Sequence, residues 1–126
     1  MKEIHRYYRI KSKADELYAA LTNSFSIELW TGSPSKMTEE VGSEFSLFDG
    51  DIEGLNLEFV KDKKIVQEWY FGNQDEKSIV SIQLFPDRLY TKIELTHTNV
   101  PDDAFEDMRY GWDNYYFGAL KDFFEK

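Results

Sequence analysis

The sequence predicts a single α+β domain over residues 1–126, in which a curved antiparallel sheet of about six to seven strands surrounds a long C-terminal helix. Three observations lead to this fold class. Residues 36–98 form a series of β-rich runs separated by turn residues. Residues 101–125 carry one wide apolar stripe with helical spacing. A chain of 126 residues also has the length of one domain.

The N-terminal segment predicts one strand followed by two short helices. Residues 4–10 (IHRYYRI) alternate and include aromatic and β-branched residues, which is typical of a strand. In SKADELYAAL the apolar residues recur at i, i+3, i+4 and i+7, so we expect a helix with Ser12 as its N-cap. Residues 25–30 (FSIELW) predict a second short helix, because the turn residues TGSP follow them directly.

Six segments that favour strands follow: residues 36–40, 43–48, 52–60, 64–71, 78–85 and 89–98. The alternation of side chains places Leu55, Leu57 and Phe59 on one strand face, and Val80, Ile82 and Leu84 on one face of another strand. In the last strand it predicts that four residues face the interior: Leu89, Ile93, Leu95 and His97. Turn residues separate the strands at Asp49-Gly50, Lys61-Asp62-Lys63, Gly72-Asn73 and Pro86-Asp87. Such short connections join antiparallel neighbours.

The stretch SLFDGDIEG resembles the start of a calcium loop, because Asp49, Asp51 and Glu53 alternate and Gly54 follows. A helix-loop-helix calcium site needs a bidentate carboxylate at the twelfth position, which is Val60 here, and it needs flanking helices. The flanking segments instead favour strands. We therefore predict a hairpin turn and no metal site, with Gly54 permitting a bulge or the close approach of another strand.

The C-terminal segment predicts one helix from residue 101 to about residue 125. Pro101 suits its first turn, and the acidic residues that follow stabilise the positive end of the helix dipole. These acidic residues either form a solvated helix start or offer a docking patch to a basic partner. Gly111 and Gly118 lie inside the helix, where glycine is unfavourable. Gly111 either leaves space beside the sheet or lets helix and sheet approach closely, and for Gly118 we favour the close approach.

The composition excludes several classes of function. Fifteen Lys and Arg against 24 Asp and Glu give a net charge of −9, which argues against a nucleic-acid partner. The chain contains no cysteine, so disulfides and thiolate sites are excluded. No run of 18 apolar residues and no apolar leader segment occurs, so we expect a cytoplasmic protein that does not insert into a membrane. We also expect a monomer. We predict neither a cofactor nor a metal.

Four motifs resemble a known family in their order along most of the chain: ADELYAALTN with IELW, GSEFSLFDGDIEG, KIVQEW, and TKIELTHTNVP followed by GWDNYYFGALKDFF. Together they resemble the START-like (SRPBCC) superfamily, whose fold is the helix-grip fold. Within it, they are most similar to homologues of the activator of the heat-shock protein 90 ATPase. One position departs from the family pattern, since Tyr70 stands where an arginine usually follows the strand tryptophan.

The resemblance implies a cavity between the curved sheet and the last helix, where relatives hold lipids, polyketides or other apolar molecules. We predict these residues as the cavity wall: Phe45, Trp69, His97, Trp112 and Tyr116. Gln67 shares a strand face with Trp69, so a buried amide and a buried imidazole would both need partners. His97 either contributes a polar group to the cavity or forms a hydrogen bond with a backbone carbonyl near the end of the sheet.

Three functions follow as hypotheses. The first is the binding of an unidentified apolar small molecule in the cavity. The second, implied by the family name, is stimulation of the ATPase of a heat-shock protein 90 homologue, although the eukaryotic activators carry a further N-terminal domain. The third is a cyclase, hydrolase or isomerase that uses the same cavity. The third function would use His97 with a tyrosine as an acid/base pair. The chain has no cysteine, no Ser-His-Asp spacing, no glycine-rich phosphate loop and no HExxH motif, so we predict no catalytic residue and favour a protein that is not an enzyme.

Overall fold

The computed structural model describes residues 1–72 and 74–125, and its main element is a six-stranded antiparallel sheet. The strands are β1 (Lys2–Ile10), β2 (Glu44–Leu47), β3 (Ile52–Val60), β4 (Lys64–Trp69), β5 (Ser78–Asp87) and β6 (Tyr90–Val100). Their order across the sheet is β1-β6-β5-β4-β3-β2. The predicted α+β helix-grip fold with its curved sheet is confirmed. Asn73, part of one predicted turn, lies outside the described residues.

Two short helices connect β1 to the rest of the sheet, as predicted: α1 (Ala14–Thr22) and α2 (Ser24–Thr31). The expected cap of α1 is wrong, because Lys13 occupies the N-cap position without a side-chain hydrogen bond, and Ser12 donates to the Lys13 carbonyl instead. Asn23 caps α2 through its side-chain oxygen, which accepts from the Ser26 amide at 3.0 Å. A glycine in the left-handed conformation ends α2 at Gly32.

The strand predicted at residues 36–40 does not form, and only one isolated bridge joins Lys36 to Ser46. The reason lies in α2, where the Ser24 hydroxyl binds both backbone groups of Met37. It accepts from the Met37 amide at 2.6 Å and donates to the Met37 carbonyl at 3.0 Å. The backbone groups that a strand would have needed are therefore used to anchor this segment to the helix pair.

Strand β3 does not keep the regular alternation that was predicted to place Leu55, Leu57 and Phe59 on one face. Gly54 and Asn56 are buried, whereas Leu55 and Leu57 are only partly buried. The register between β3 and β4 shifts between Asn56 and Glu58, so the alternation changes phase within the strand. Because of this bulge, Phe59 still packs against the core as expected.

In β6 the inward positions of Ile93, Leu95 and His97 are confirmed, each having no exposed surface. Leu89 was predicted to face inward, but 71% of it is exposed. It belongs to the turn after β5, where Arg88 adopts a positive φ of 62°. Thr91 takes the first inward position of the strand instead.

The C-terminal segment (residues 102–124) is helical throughout, but it is not one regular α-helix. A 3₁₀ turn (Asp102–Ala104) leads into α3 (Phe105–Gly111), a π-helical turn (Trp112–Tyr116) and α4 (Phe117–Phe124). Within residues 1–72 and 74–125, no helix combines the length and the apolar character needed to cross a membrane.

Candidate functional site

An open groove of about 460 Å³ lies at one end of the sheet, and we call it the aromatic groove. The β2–β3 hairpin supplies one wall, the end of α2 another, and α3 with the π turn and α4 the third. Its apolar wall consists of Phe48, Ile52, Trp69, Met108, Trp112, Tyr116 and Ala119. Pockets of this size and character are typical of small-molecule sites.

The floor of the aromatic groove is a stack of two indoles. The rings of Trp69 and Trp112 lie 4.7 Å apart between centroids and 26° from parallel. Tyr116 packs against Trp112 at 4.6 Å and against Trp30 at 5.1 Å. All four side chains are buried. Aromatic contacts of this geometry stabilise the floor.

The interior beneath this floor, between the sheet and the C-terminal segment, is filled by aromatic side chains. Phe117 stacks on Trp112 at 5.6 Å on one side and on Tyr8 at 4.5 Å on the other. Phe117 is 1% exposed. Phe117 thus contributes aromatic packing between the sheet and the C-terminal segment, and the groove supplies open volume beside it.

His97 lies behind the indole stack, where its two ring nitrogens both have partners. The Trp112 indole N–H donates to His97 Nδ1 at 3.1 Å. An indole nitrogen can only donate, so Nδ1 carries no proton and the neutral ring is protonated at Nε2. His97 Nε2 then donates to Ser78 Oγ at 2.8 Å, and the Ser78 hydroxyl donates to the Thr98 carbonyl at 3.0 Å.

Burial without a neighbouring charge lowers the pKa of His97 from 6.5 to about 4. The imidazole is therefore neutral near pH 7. The His97 ring is not among the residues that line the groove, and it is linked to the Thr98 carbonyl through Ser78.

A second polar chain links the groove to the segment that precedes β2. The Trp69 indole donates to Gln67 Oε1 at 3.0 Å, and Gln67 Nε2 donates to Asn56 Oδ1 at 3.1 Å. Asn56 Nδ2 in turn donates to Ser43 Oγ at 3.1 Å and to the Thr38 carbonyl at 3.3 Å. Asn56 and Gln67 are 0% and 1% exposed, so each amide needs these partners.

The hairpin at Asp49-Gly50 is confirmed. Leu47 pairs with Ile52 across it, and Phe48, Asp49 and Gly50 all adopt positive φ. In the described part of the chain, no three acidic or histidine side chains converge as metal ligands.

Gly54 permits a close approach, as predicted. A Cβ atom there would lie 2.6 Å from the Phe45 ring and would also overlap the Glu68 carbonyl oxygen. The Phe45 ring therefore covers the bare backbone of its cross-strand partner, and it does not line the aromatic groove.

Three of the five predicted wall residues, Trp69, Trp112 and Tyr116, come together at the groove. Phe45 and His97 are buried elsewhere in the same core. Sequence reasoning missed the groove residues of the hairpin, Phe48 and Ile52. It also missed Met108, although its spacing of four residues from Trp112 was a usable signal.

The two helix glycines have different surroundings. A Cβ atom at Gly111 would meet nothing within 4 Å, and Gly111 lines the groove, which favours the space-leaving alternative. At Gly118 a Cβ atom would lie 2.5 Å from the Asp113 carbonyl oxygen. The favoured explanation for Gly118 is therefore wrong: this glycine accommodates the π turn of its own helix.

Comparison with known proteins places the chain in a family. A family profile described as "Activator of Hsp90 ATPase homolog 1-like protein" matches residues 11–125. The human activator of 90 kDa heat shock protein ATPase homolog 1 is 30% identical over 112 residues, or 87% of this chain. The mouse activator homolog 2 is 27% identical over 124 residues, or 97% of this chain. The chain spans only 33% and 38% of these two relatives.

Solved structures agree with this assignment. An HSP90 activator from Plasmodium falciparum is 26% identical and superimposes with a TM-score of 0.87, covering 95% of this chain and 94% of that one. The Aha1 dimer from Colwellia psychrerythraea, 23% identical, shares the fold with a TM-score of 0.85 over 99% of this chain and 97% of its own. The chain therefore belongs to the family of activator of Hsp90 ATPase homolog 1-like proteins, within the START-like superfamily.

Proposed function

We propose that this domain binds a 90 kDa heat shock protein homologue and stimulates its ATPase. The observation that carries the proposal is the likeness to the Plasmodium HSP90 activator, which extends over nearly the whole of both chains. The relatives from human and mouse are named as activators of the same ATPase.

The test is an ATPase assay with a purified bacterial Hsp90 homologue and a eukaryotic one in parallel. The chain is added up to saturation, and an inhibitor of the Hsp90 ATP site is used to subtract contaminating activity. We expect the inhibitor-sensitive rate to rise with a saturable dependence on the chain. An unchanged rate with both chaperones at saturating concentration would remove this function.

A second proposed role is the binding of an apolar small molecule in the aromatic groove. Its support is the groove volume of about 460 Å³, which exceeds the lower limit of about 300 Å³ for drug-sized guests. Trp69, Trp112 and Tyr116 would form the contact surface.

Native mass spectrometry of the purified protein tests this second role, because a retained guest adds mass to the folded chain. Gly111→Leu extends a side chain from a position that faces open space, so it is expected to displace the guest. Asp122→Leu, at an exposed position outside the groove, is the matched control and should retain it. Equal retention by both variants would argue against the groove as the binding site.

A further inference from the structure

The polar groups at the rim of the aromatic groove carry charge of only one sign. Asp51 at the tip of the β2–β3 hairpin and Asp107 on α3 both line the groove, and both are exposed. The other polar lining residues, Thr31 and Asn114, are neutral, and no Lys or Arg belongs to the lining. The two carboxylates come from elements far apart in sequence, so the fold brings them to one rim.

Both carboxylates are available to a ligand. Asp102 pairs with the N-terminal amine at 3.2 Å and Glu106 pairs with Arg109 at 2.7 Å, so these neighbours are already neutralised. Asp51 and Asp107 form no ion pair with any residue of the described ranges 1–72 and 74–125. The net charge of −9 adds to the negative potential at this rim.

Aromatic side chains line the same groove as the two carboxylates. Tyr115 is 62% exposed and presents its ring to a guest, whereas the faces of Trp112 are covered by Trp69 and Phe117. Aromatic faces attract cations, so the exposed Tyr115 ring in the same groove as Asp51 and Asp107 favours an organic ammonium group. The apolar body of such a guest would contact the apolar lining of the groove, and its positive group would lie near Asp51 and Asp107.

From this arrangement we infer that the aromatic groove selects a small organic cation, an aromatic or aliphatic body that bears one ammonium-type group. The inference rests on the second proposed role and adds the chemical class of the guest. An anionic guest, such as a fatty acid, would bring its carboxylate next to Asp51 and Asp107 and is disfavoured.

Three probes with the same naphthalene ring test the inference: 2-naphthylmethylammonium, the neutral 2-naphthalenemethanol and the anionic 2-naphthoate. Their affinities are measured by isothermal titration calorimetry at low salt, and the indole N–H signals of Trp69 and Trp112 in NMR spectra locate the site. We expect the cation to bind about tenfold tighter than the anion, with the neutral probe between them. This preference should shrink at 0.5 M salt, as screening predicts.

Charge variants give the sharper comparison. Asp51→Asn and Asp107→Asn should each weaken cation binding about two- to fivefold, which corresponds to a partly exposed ion pair, and should leave the neutral probe unchanged. Asp103→Asn removes the same charge from an exposed position outside the groove, so it should leave the affinity for each probe unchanged.

Each outcome separates the inference from the role on which it rests. Equal binding of all three probes, or equal weakening by all three aspartate variants, overturns the selection of a cation but leaves a small-molecule groove. Binding of none of the probes overturns both. Neither result bears on the chaperone ATPase assay, which is measured without any probe.

Discussion

The Trp112 indole N–H donates to Nδ1 of His97 across 3.1 Å, so the C-terminal segment and β6 are joined by a buried hydrogen bond behind the groove floor. Protonation of Nδ1 would place two donors face to face at this position. The contact therefore couples the packing of the C-terminal segment to the protonation state of one imidazole.

The first prediction concerns pH. Because the folded-state pKa of His97, about 4, lies below its unfolded value of 6.5, the unfolded chain takes up the proton first as the pH falls. The stabilisation is complete above pH 6.5 and is lost as the pH falls towards 4, by up to about 3 kcal/mol. Urea unfolding between pH 7 and pH 5 measures this loss.

His97→Gln should flatten that pH dependence, whatever its effect on stability at pH 7. His5→Gln, at an exposed position, is the matched control and should retain the loss. The same slope in His97→Gln and in the unsubstituted chain would show that another group controls it.

The second prediction compares the two glycines of the C-terminal segment. Gly111→Ala should raise the free energy of unfolding by about 0.5–1 kcal/mol, because Gly111 has helical angles and open space beside it. Gly118→Ala should lower it by about 1–3 kcal/mol, because the new methyl group would collide with the Asp113 carbonyl. Urea unfolding of both variants checks the two signs, and changes of the same sign would refute the role of the π turn.

The third prediction concerns the polar chain below the groove. Gln67→Met keeps the side-chain volume but leaves the Trp69 indole N–H and Asn56 Oδ1 without their partner. The expected loss is about 2–4 kcal/mol in the free energy of unfolding, since each buried orphan group costs about 1–3 kcal/mol. Gln83→Met on β5, which is partly exposed, should stay within about 0.5 kcal/mol. Similar losses in both variants would show that the hydrogen bonds of Gln67 to Trp69 and Asn56 do not contribute specially to stability.

The fourth prediction concerns Gly54. Gly54→Ala should lower the melting temperature by about 10 °C, because the added methyl group would overlap the Phe45 ring and the Glu68 carbonyl. Glu53→Ala, one residue earlier and exposed, is the control and should change it little. Differential scanning calorimetry measures the melting temperatures of both variants. Equal melting temperatures would show that β3 and β4 can move apart at low cost in free energy.

Local pattern alone determined most of the architecture. The alternation in β4, β5 and β6, the Asp49-Gly50 turn and the apolar stripe after Pro101 each depend on neighbours in sequence, and each is found in the structure. The inward position of His97 followed in the same way, because side chains in a strand alternate regardless of what they meet. The order of these elements predicted a curved antiparallel sheet around the C-terminal segment, and the resemblance to the START-like superfamily supplied the helix-grip fold.

Tertiary contacts decided the rest. Ser24 binds the backbone at Met37 and prevents a strand, and the bulge in β3 turns Asn56 inward, although neither event has a local signal. The partners of His97 and the joining of Asp51 with Asp107 at one rim also depend on residues far apart in sequence. Periodicity predicts which face of an element is buried, but only the packed fold determines which atoms meet there and where open space is left.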